Sequence, residues 1–537
     1  MARCSFRFAT VKTNKWRYKQ ATTPLFEITM FALLVIIALV TLLVWHYLHM
    51  RSVARKFSSQ GIARPPLTLP IIGDSLLFLG LSRTEFPIRL KNLFERFGNV
   101  YHAWIGPYSI LMVADVNYYK VILRDAVSKP YITTYVLKQA VGAGLLVVAG
   151  EEWRVRRKML NPAFHIKLIE SFIEVFDEHS RTLTQRLQQH ADGKSTFDIY
   201  PFISDMAVCT IFETTMGFKP DPNDLDFRKY SSAVHDFIFN ESERLVKPWL
   251  LPRFAYYMLR YRNFKKSSAA TAYMRDFHTK IIRKKRQELE ETNNNATQTG
   301  DVDDKVSGPK RQNFLEILLT SSIDGKPVSD DVIHDEILTM VMAGSDTSAH
   351  TLCYVLYLLS RHPDVQQKAF LEIFSLYAID SERSITMQDL SKLKYLECVI
   401  KETLRVYPIV PFCGRVFDED KVVDGKIIPG GTTLIICPIR SNENPEYFPE
   451  PKRFNPERFN DENINKIPEY AFAPFSAGPR GCIGPKFAMV EIKCTLIRIL
   501  LEYEILPFGD PPKPFIYVSY QLENGLHLAL KPREYDP

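Results

Sequence analysis

The chain is 537 residues long, 46% of them hydrophobic, 12% aromatic and 24% charged, with a formal net charge of +7. This supplies a substantial core across one to three domains. The mild basic excess is scattered, with no dense Lys/Arg stripe, which excludes a nucleic-acid binder and points to membrane proximity or an acidic partner.

Residues 1–24 form a basic tail carrying Arg3, Arg7, Lys12, Lys15, Arg17 and Lys19. Residues 25–50 follow, and from Ile28 to Met50 there is no Asp, Glu, Lys or Arg. About 20 such residues span a bilayer as a helix, and the segment has no polar face to suit a buried core helix, so it reads as a transmembrane anchor. Arg51, Arg55, Lys56 and Arg64 lie behind it. Read from Met1, the positive-inside rule would place the large domain in the lumen. The eight cysteines disagree: they form no CxxC pair and no disulfide-dense block, as in a reducing compartment. A working protein beginning at Met30 resolves the conflict by removing every preceding charge; the alternative is a transit-like tail. Asn240-Glu241-Ser242 and Asn295-Ala296-Thr297 match the glycosylation sequon, a pattern short enough to recur by chance.

Residues 51–74 read as a basic, proline-rich hinge, in which Pro65, Pro66 and Pro70 make a semi-rigid spacer off the membrane. Residues 75–537 form one mainly helical domain with small sheets and no internal repeat. Hairpins are expected in VYHAWIGPYSILMVA with a turn at Gly106-Pro107, in KVVDGKIIPGGTTLII with a turn at Asp424-Gly425, and in IYVSYQLENGLHLAL with a turn at Asn524-Gly525. EEWRVRRKMLNPAFH, with Trp153 and Arg157 four apart, reads as an amphipathic basic helix. Residues 291–312, poor in apolar side chains, read as a surface loop.

A helical pattern from about Asp331 to Ser360 contains AGSDTS. Glycine, an acid and threonine are locally unfavourable in mid-helix, and such violations tend to mark function, although Gly344 could simply mark packing. In ETLR, Glu402 and Arg405 share one helix face, where a surface ion pair is the default reading; Glu151/Arg154 and Glu241/Arg244 have the same spacing. FSAGPRGCIG sets Cys482 among glycines. Most free cysteines are small buried residues. Here Gly478 and Gly484 permit tight turns and close backbone approach, Gly481 leaves room beside the sulfur, and backbone N–H groups turned to a thiolate would stabilise its charge.

Phe475-x-x-Gly478-x-Arg480-x-Cys482-x-Gly484 resembles the haem-binding signature of cytochrome P450 enzymes, and five fixed residues at these spacings arise by chance in about one in ten thousand chains of this length. The resemblance covers the chain beyond the anchor. NPAFH, the distal helix and the cysteine loop together are most similar to the branch known for fatty-acid terminal hydroxylation, also common in insects. It implies the cytochrome P450 fold, mainly α with small β-sheets, behind an N-terminal transmembrane helix. It makes Cys482 the proximal ligand of a haem b iron, Phe475 its neighbour, and Trp153, Arg157, Arg415 and Arg480 the holders of the haem propionates. Glu402, Arg405 and Arg458 become a buried charge cluster locking the core. AGSDTS becomes the distal helix, where Gly344 lets oxygen approach, Thr347 hydrogen-bonds oxygen and Asp346 helps relay protons through water. Arg154, Arg156, Lys158 and Lys486 are candidates for docking an acidic flavoprotein.

Two departures stand out. Members of that branch often carry a glutamate just before the distal glycine, some of them esterified to haem. Ala343 stands there, so the haem is expected to be non-covalent and strict terminal-carbon selectivity is in doubt. The family's usual His-Arg pair before Asn-Pro-Glu is replaced by Asn442 and Glu443. The implied activity is that of an endoplasmic-reticulum monooxygenase facing the cytosol. It would insert one atom of O2 into a lipophilic substrate such as a fatty acid, hormone-like lipid or xenobiotic. Its electrons would come from NADPH through NADPH–cytochrome P450 reductase, with cytochrome b5 as a further partner. Haem-thiolate isomerases and dehydratases that act on peroxides share the fold, and Asp346-Thr347 counts against them; a haem sensor or carrier is the non-enzymatic alternative.

Overall fold

In the computed structural model, which describes residues 17–66, 68–221, 224–250, 252–299 and 312–534, the first helix runs Arg17–Ser58. Its apolar side chains from Ile28 to Leu48 stand exposed around it, and an 18-residue window within Glu27–Ser58 reaches a mean hydropathy of 2.8. Apolar exposure on every side suits lipid and no other solvent. Residues 1–16 of the expected basic tail lie outside the described residues.

The expected boundary at residue 50 is not a break. The helix continues for two more turns, and Met50, Ala54 and Phe57, spaced to share one face, are buried. The Phe57 ring stacks on His102 with centroids 4.4 Å apart. The proline-rich stretch is likewise no free spacer. Ala63 bridges Tyr101, Gly73 bridges Ile105, and Asp74 accepts the Trp104 N–H at 2.8 Å. Prolines contribute no donors, but the residues on either side of them pair with the first strand and bind the segment to the domain.

That strand, Val100–Ile105, turns at Gly106-Pro107 into Tyr108–Val113, as the alternating pattern predicts. Thr433–Ile436 adds parallel to the second strand, and Cys413–Val416 closes the sheet antiparallel to Thr433–Ile436. Lys421–Val423 and Lys426–Ile428 pair through Asp424 and Gly425, both at positive φ, the geometry two-residue hairpins favour. The third expected hairpin is different. Pro514–Ile516 pairs with Tyr520–Leu522 across Tyr517–Ser519, while His527–Pro532 leaves to pair with Tyr503–Leu506 and with Phe197–Asp198. The Asn524-Gly525 turn wraps Asp198, whose carboxylate accepts the Leu526 N–H at 2.8 Å, and a Cβ at Gly525 would lie 2.1 Å from Asp198 Oδ2.

Around these sheets the helices share one large apolar core. At its centre Asp330–Arg361 packs against Tyr200–Ile211, Lys394–Val406 and Pro485–Glu502. Its buried residues lie all round the helix, as expected of an element enclosed on every side. The expected loop at 291–312 is helical over 291–299, where the helix Tyr261–Thr299 continues; residues 300–311 lie outside the described residues. The seven described cysteines are free. Asn240 is 7% exposed and its amide donates to the Asp236 carbonyl, which leaves no room for a glycan.

Candidate functional site

A cavity of about 340 Å³ lies between the central helix and the cysteine loop. Ala343, Gly344, Asp346, Thr347 and Ser348 line one side; Phe475, Arg480, Cys482 and Gly484 line the other. Cys482 is exposed, and what its side chain faces is this cavity. Its neighbours shape the loop around it. Gly478 has φ +68°, and a Cβ there would sit 2.0 Å from the Leu123 carbonyl oxygen. The Cys482 N–H donates to the Phe475 carbonyl at 2.9 Å, and the Gly484 N–H points at Sγ from 3.3 Å. Gly484 itself has an ordinary φ of −114°, so its expected turn role gives way to that N–H contact. Burial pushes the Cys482 thiol up, and the Gly484 N–H and Arg157 pull it back.

Three cations converge on the cavity wall. Arg480 donates to the carbonyls of Val127 and Val148 at 2.9 and 2.8 Å; Arg415, 3% exposed, donates to Gly414 O and Ser476 Oγ; Lys129 donates to the Leu146 carbonyl. Burial and then the charges of Arg415 and Arg480 bring Lys129 down to about 7, while burial and then Arg415 and Arg157 bring Arg480 down to about 10. No carboxylate among the described residues pairs with any of the three, and Arg415 Nε has no hydrogen-bond partner. One buried and two half-buried cations that repel one another call for an anionic occupant. A flat apolar group with two carboxylates and a metal open to a sulfur ligand fits this donor set, and haem is such a group. Lys129 escaped the sequence reading; a single lysine in VSKPY carries no signal until Arg415 and Arg480 are brought beside it.

Trp153 and Arg157, expected at the same carboxylates, stand behind the wall. The Arg480 guanidinium lies 4.1 Å over the Trp153 ring, and Arg157 donates to the carbonyls of Gly481 and Cys482 at 3.0 and 3.3 Å. Both brace the cysteine loop from the helix Gly150–Leu160. Arg156, expected on an outer docking face, is buried instead and pairs with Glu152 and with Glu336 on the central helix.

The Glu-x-x-Arg motif is a buried cluster. Glu402 is 0% exposed and holds Arg405 through two bonds of 2.8 Å; Arg458 Nε reaches it at 3.3 Å and the Asn455 N–H at 2.9 Å. Arg405 also donates to the carbonyls of Asn442 and Pro451. The Asn442-Glu443 departure is accommodated here: the Asn442 amide donates back to Arg405 O at 3.0 Å, and Glu443 pairs with Lys91. Glu151/Arg154, of equal spacing, is an exposed pair at 3.1 Å, whereas Glu241/Arg244 is buried at 2.7 Å.

On the central helix, a Cβ at Gly344 would meet Ile211 Cδ1 at 2.6 Å, so this glycine serves helix packing as well as lining the cavity. Thr347 Oγ1 donates to the Ala343 carbonyl at 2.7 Å. Asp346 is committed elsewhere: Ser519 donates to one oxygen, Gln521 Nε2 to the other at 3.0 Å, and His350 Nδ1 lies 3.4 Å away. Burial would raise its carboxyl, but His350, Ser519 and Gln521 outweigh burial and hold it below the ordinary value. Behind Ser348, Glu491, 2% exposed on the helix Pro485–Glu502, accepts the Ser348 hydroxyl at 2.6 Å, and burial pushes it up to about 8.

A family model described as Cytochrome P450 matches residues 63–527. Three Drosophila melanogaster proteins are similar over nearly their whole lengths. Cytochrome P450 4d2 is 36% identical, covering 93% of this chain and 98% of its own. Probable cytochrome P450 4d21 is 35% identical, covering 94% and 99%. Cytochrome P450 4d8 is 36% identical, covering 82% and 96%.

Proposed function

Because the chain belongs to the cytochrome P450 family and is a monooxygenase that binds haem b non-covalently, we propose that it works at the endoplasmic-reticulum membrane with its catalytic domain in the cytosol. It takes NADPH electrons from a reductase, with cytochrome b5 as a second donor, and acts on a lipophilic substrate of the fatty-acid, hormone-like lipid or xenobiotic kind. The observation that carries the reading is Cys482, an open sulfur in an otherwise mostly apolar cavity whose cations have no acid of their own.

Haem held by Cys482 supplies the one-electron and oxygen chemistry that no side chain provides, and a thiolate ligand favours O–O cleavage. The residues do the rest. Lys129, Arg415 and Arg480 would hold the propionates, and binding these acids would favour the charged form of Lys129 that burial disfavours. Arg157 and Gly484 keep the thiolate in place and Trp153 backs Arg480. Leu404, Ile409, Phe487 and Val518 line the cavity, leaving apolar walls for a substrate that partitions into lipid. Thr347 lines the cavity and would orient oxygen there. The exposed apolar helix Glu27–Ser58 supports attachment to the bilayer from which such substrates come.

The test is reductase-dependent NADPH consumption and oxygen uptake by purified protein offered fatty acids, terpenoids, steroids and xenobiotics, preceded by a spin-shift binding screen. Substrate-stimulated turnover yielding a product with one added oxygen is expected. Peroxide rearrangement without NADPH would replace this reading with an isomerase or dehydratase.

A further inference from the structure

Among the described residues, two buried side-chain polar atoms on residues of the cavity wall have no hydrogen-bond partner. Arg415 Nε belongs to the cations that suit the haem carboxylates. The other is the hydroxyl of Tyr517, 1% exposed, in the turn between Pro514–Ile516 and Tyr520–Leu522. Other polar groups of the wall are committed: Ser519 and Gln521 donate to Asp346, and Thr347 and Thr351 donate to carbonyls of their own helix. The turn is also held in place. The Tyr517 N–H donates to the Ser519 carbonyl at 3.0 Å, and the two bonds to Asp346 tie this hairpin to the central helix. A buried hydroxyl left unpaired costs as much as a lost hydrogen bond, so this one calls for a partner from outside the chain.

We propose that the Tyr517 hydroxyl donates a hydrogen bond to a neutral acceptor oxygen of the substrate, a carbonyl or ester on an otherwise apolar molecule. The inference rests on the monooxygenase reading above and narrows its substrate. Burial, and then the charge of Glu241, push the phenol well above its ordinary value against the pull of Arg244, so it keeps its proton and serves as a donor. A carboxylate is the wrong occupant. Glu241 and Arg244 are buried on the helix Leu225–Val246, which lines the cavity through Ile238, and they pair with each other at 2.7 Å. Arg244 also donates to the Leu250 carbonyl. The charged groups that act on the phenol are thus two carboxylates, Glu241 and Asp346, and one guanidinium already paired to the first. An anionic head group would meet net negative charge there, whereas a neutral oxygen meets a free donor between apolar walls. A substrate so held is seated by its polar end, and its distance from that end decides which carbon faces the Cys482 side.

The experiment uses the full chain with haem and probes matched in chain length: a hydrocarbon, a methyl ketone, a methyl ester and a free fatty acid. Infrared spectra of the bound ester, its carbonyl isotope-labelled, should place the carbonyl stretch at lower frequency in wild type than in Tyr517→Phe. In spin-shift titrations the variant should bind ketone and ester about threefold to tenfold less tightly and the hydrocarbon equally. Wild type should hold the acid less tightly than its ester. Without ligand, Tyr517→Phe should be at least as stable as wild type, because it removes a buried hydroxyl that has no partner. An unshifted carbonyl with equal ester affinities overturns the proposal and leaves the hydroxyl to a water. An acid bound more tightly than its ester overturns it too, and so does a variant destabilised without ligand, which would give the hydroxyl a structural role. A wild type lacking the thiolate-type carbon monoxide spectrum would strike the monooxygenase reading instead, and the carbonyl frequency would still decide the hydrogen bond.

Discussion

The central helix and the helix Pro485–Glu502 each carry an enclosed acid, Asp346 lining the cavity and Glu491 behind Ser348, and their surroundings shift the two in opposite directions. Asp346 meets a serine, a glutamine amide and a histidine, which hold its carboxyl below the ordinary value; Glu491 meets one serine, and burial pushes it up to about 8. Glu402, as deeply buried as either, is held by Arg405 and Arg458. Burial alone therefore does not fix the charge of a carboxyl. The number and sign of the donors brought to it do, and these come from elements far apart in the chain.

The largest effect should come from stripping a charge that donors support. Glu402→Ala leaves Arg405 and Arg458 buried without their partner and should cost about 3–5 kcal/mol in chemical denaturation. Asp346→Asn keeps the shape but loses charge-assisted bonds to the hairpin; a loss of about 1–3 kcal/mol is expected. Since the folded Asp346 value is depressed, wild-type stability from this group is present above the ordinary carboxyl value and fades as pH falls through the folded one, so the difference between wild type and variant should shrink in acid.

Glu491→Gln should move the other way. Its folded value is raised from 4.5 to about 8, so stability from keeping the proton is complete below 4.5 and lost as pH rises through 8. The variant should match wild type near pH 5 and exceed it near pH 9, by on the order of a few kcal/mol at most. A variant less stable at every pH would break the contrast. Thr347→Ala should be smallest in stability, within about 0.5 kcal/mol, because its hydroxyl bonds only its own helix; peroxide yield should rise, and unchanged coupling would reduce Thr347 to packing.

Legibility in the sequence followed how local each cause is. The Gly106-Pro107 hairpin, the span of the distal helix and the Cys482 loop are set by neighbours in sequence, down to the positive φ at Gly478. The Asn524-Gly525 turn failed as a hairpin because its partner is Asp198, more than three hundred residues away. Arg156 reads as one more surface charge until Glu336 is packed against it. Lys129 and Glu491 were silent for the same reason: an unusual protonation state is a property of the surroundings, and AMVEIKC says nothing about which donors are missing.

Everything in the site turns on the sulfur of Cys482, and the carbon monoxide spectrum of the reduced protein reads that sulfur directly. Wild type should give the thiolate-type band, Cys482→His a nitrogen-ligand band with haem still bound, and Cys482→Ala neither. A thiolate-type band that survives in both variants would contradict the account.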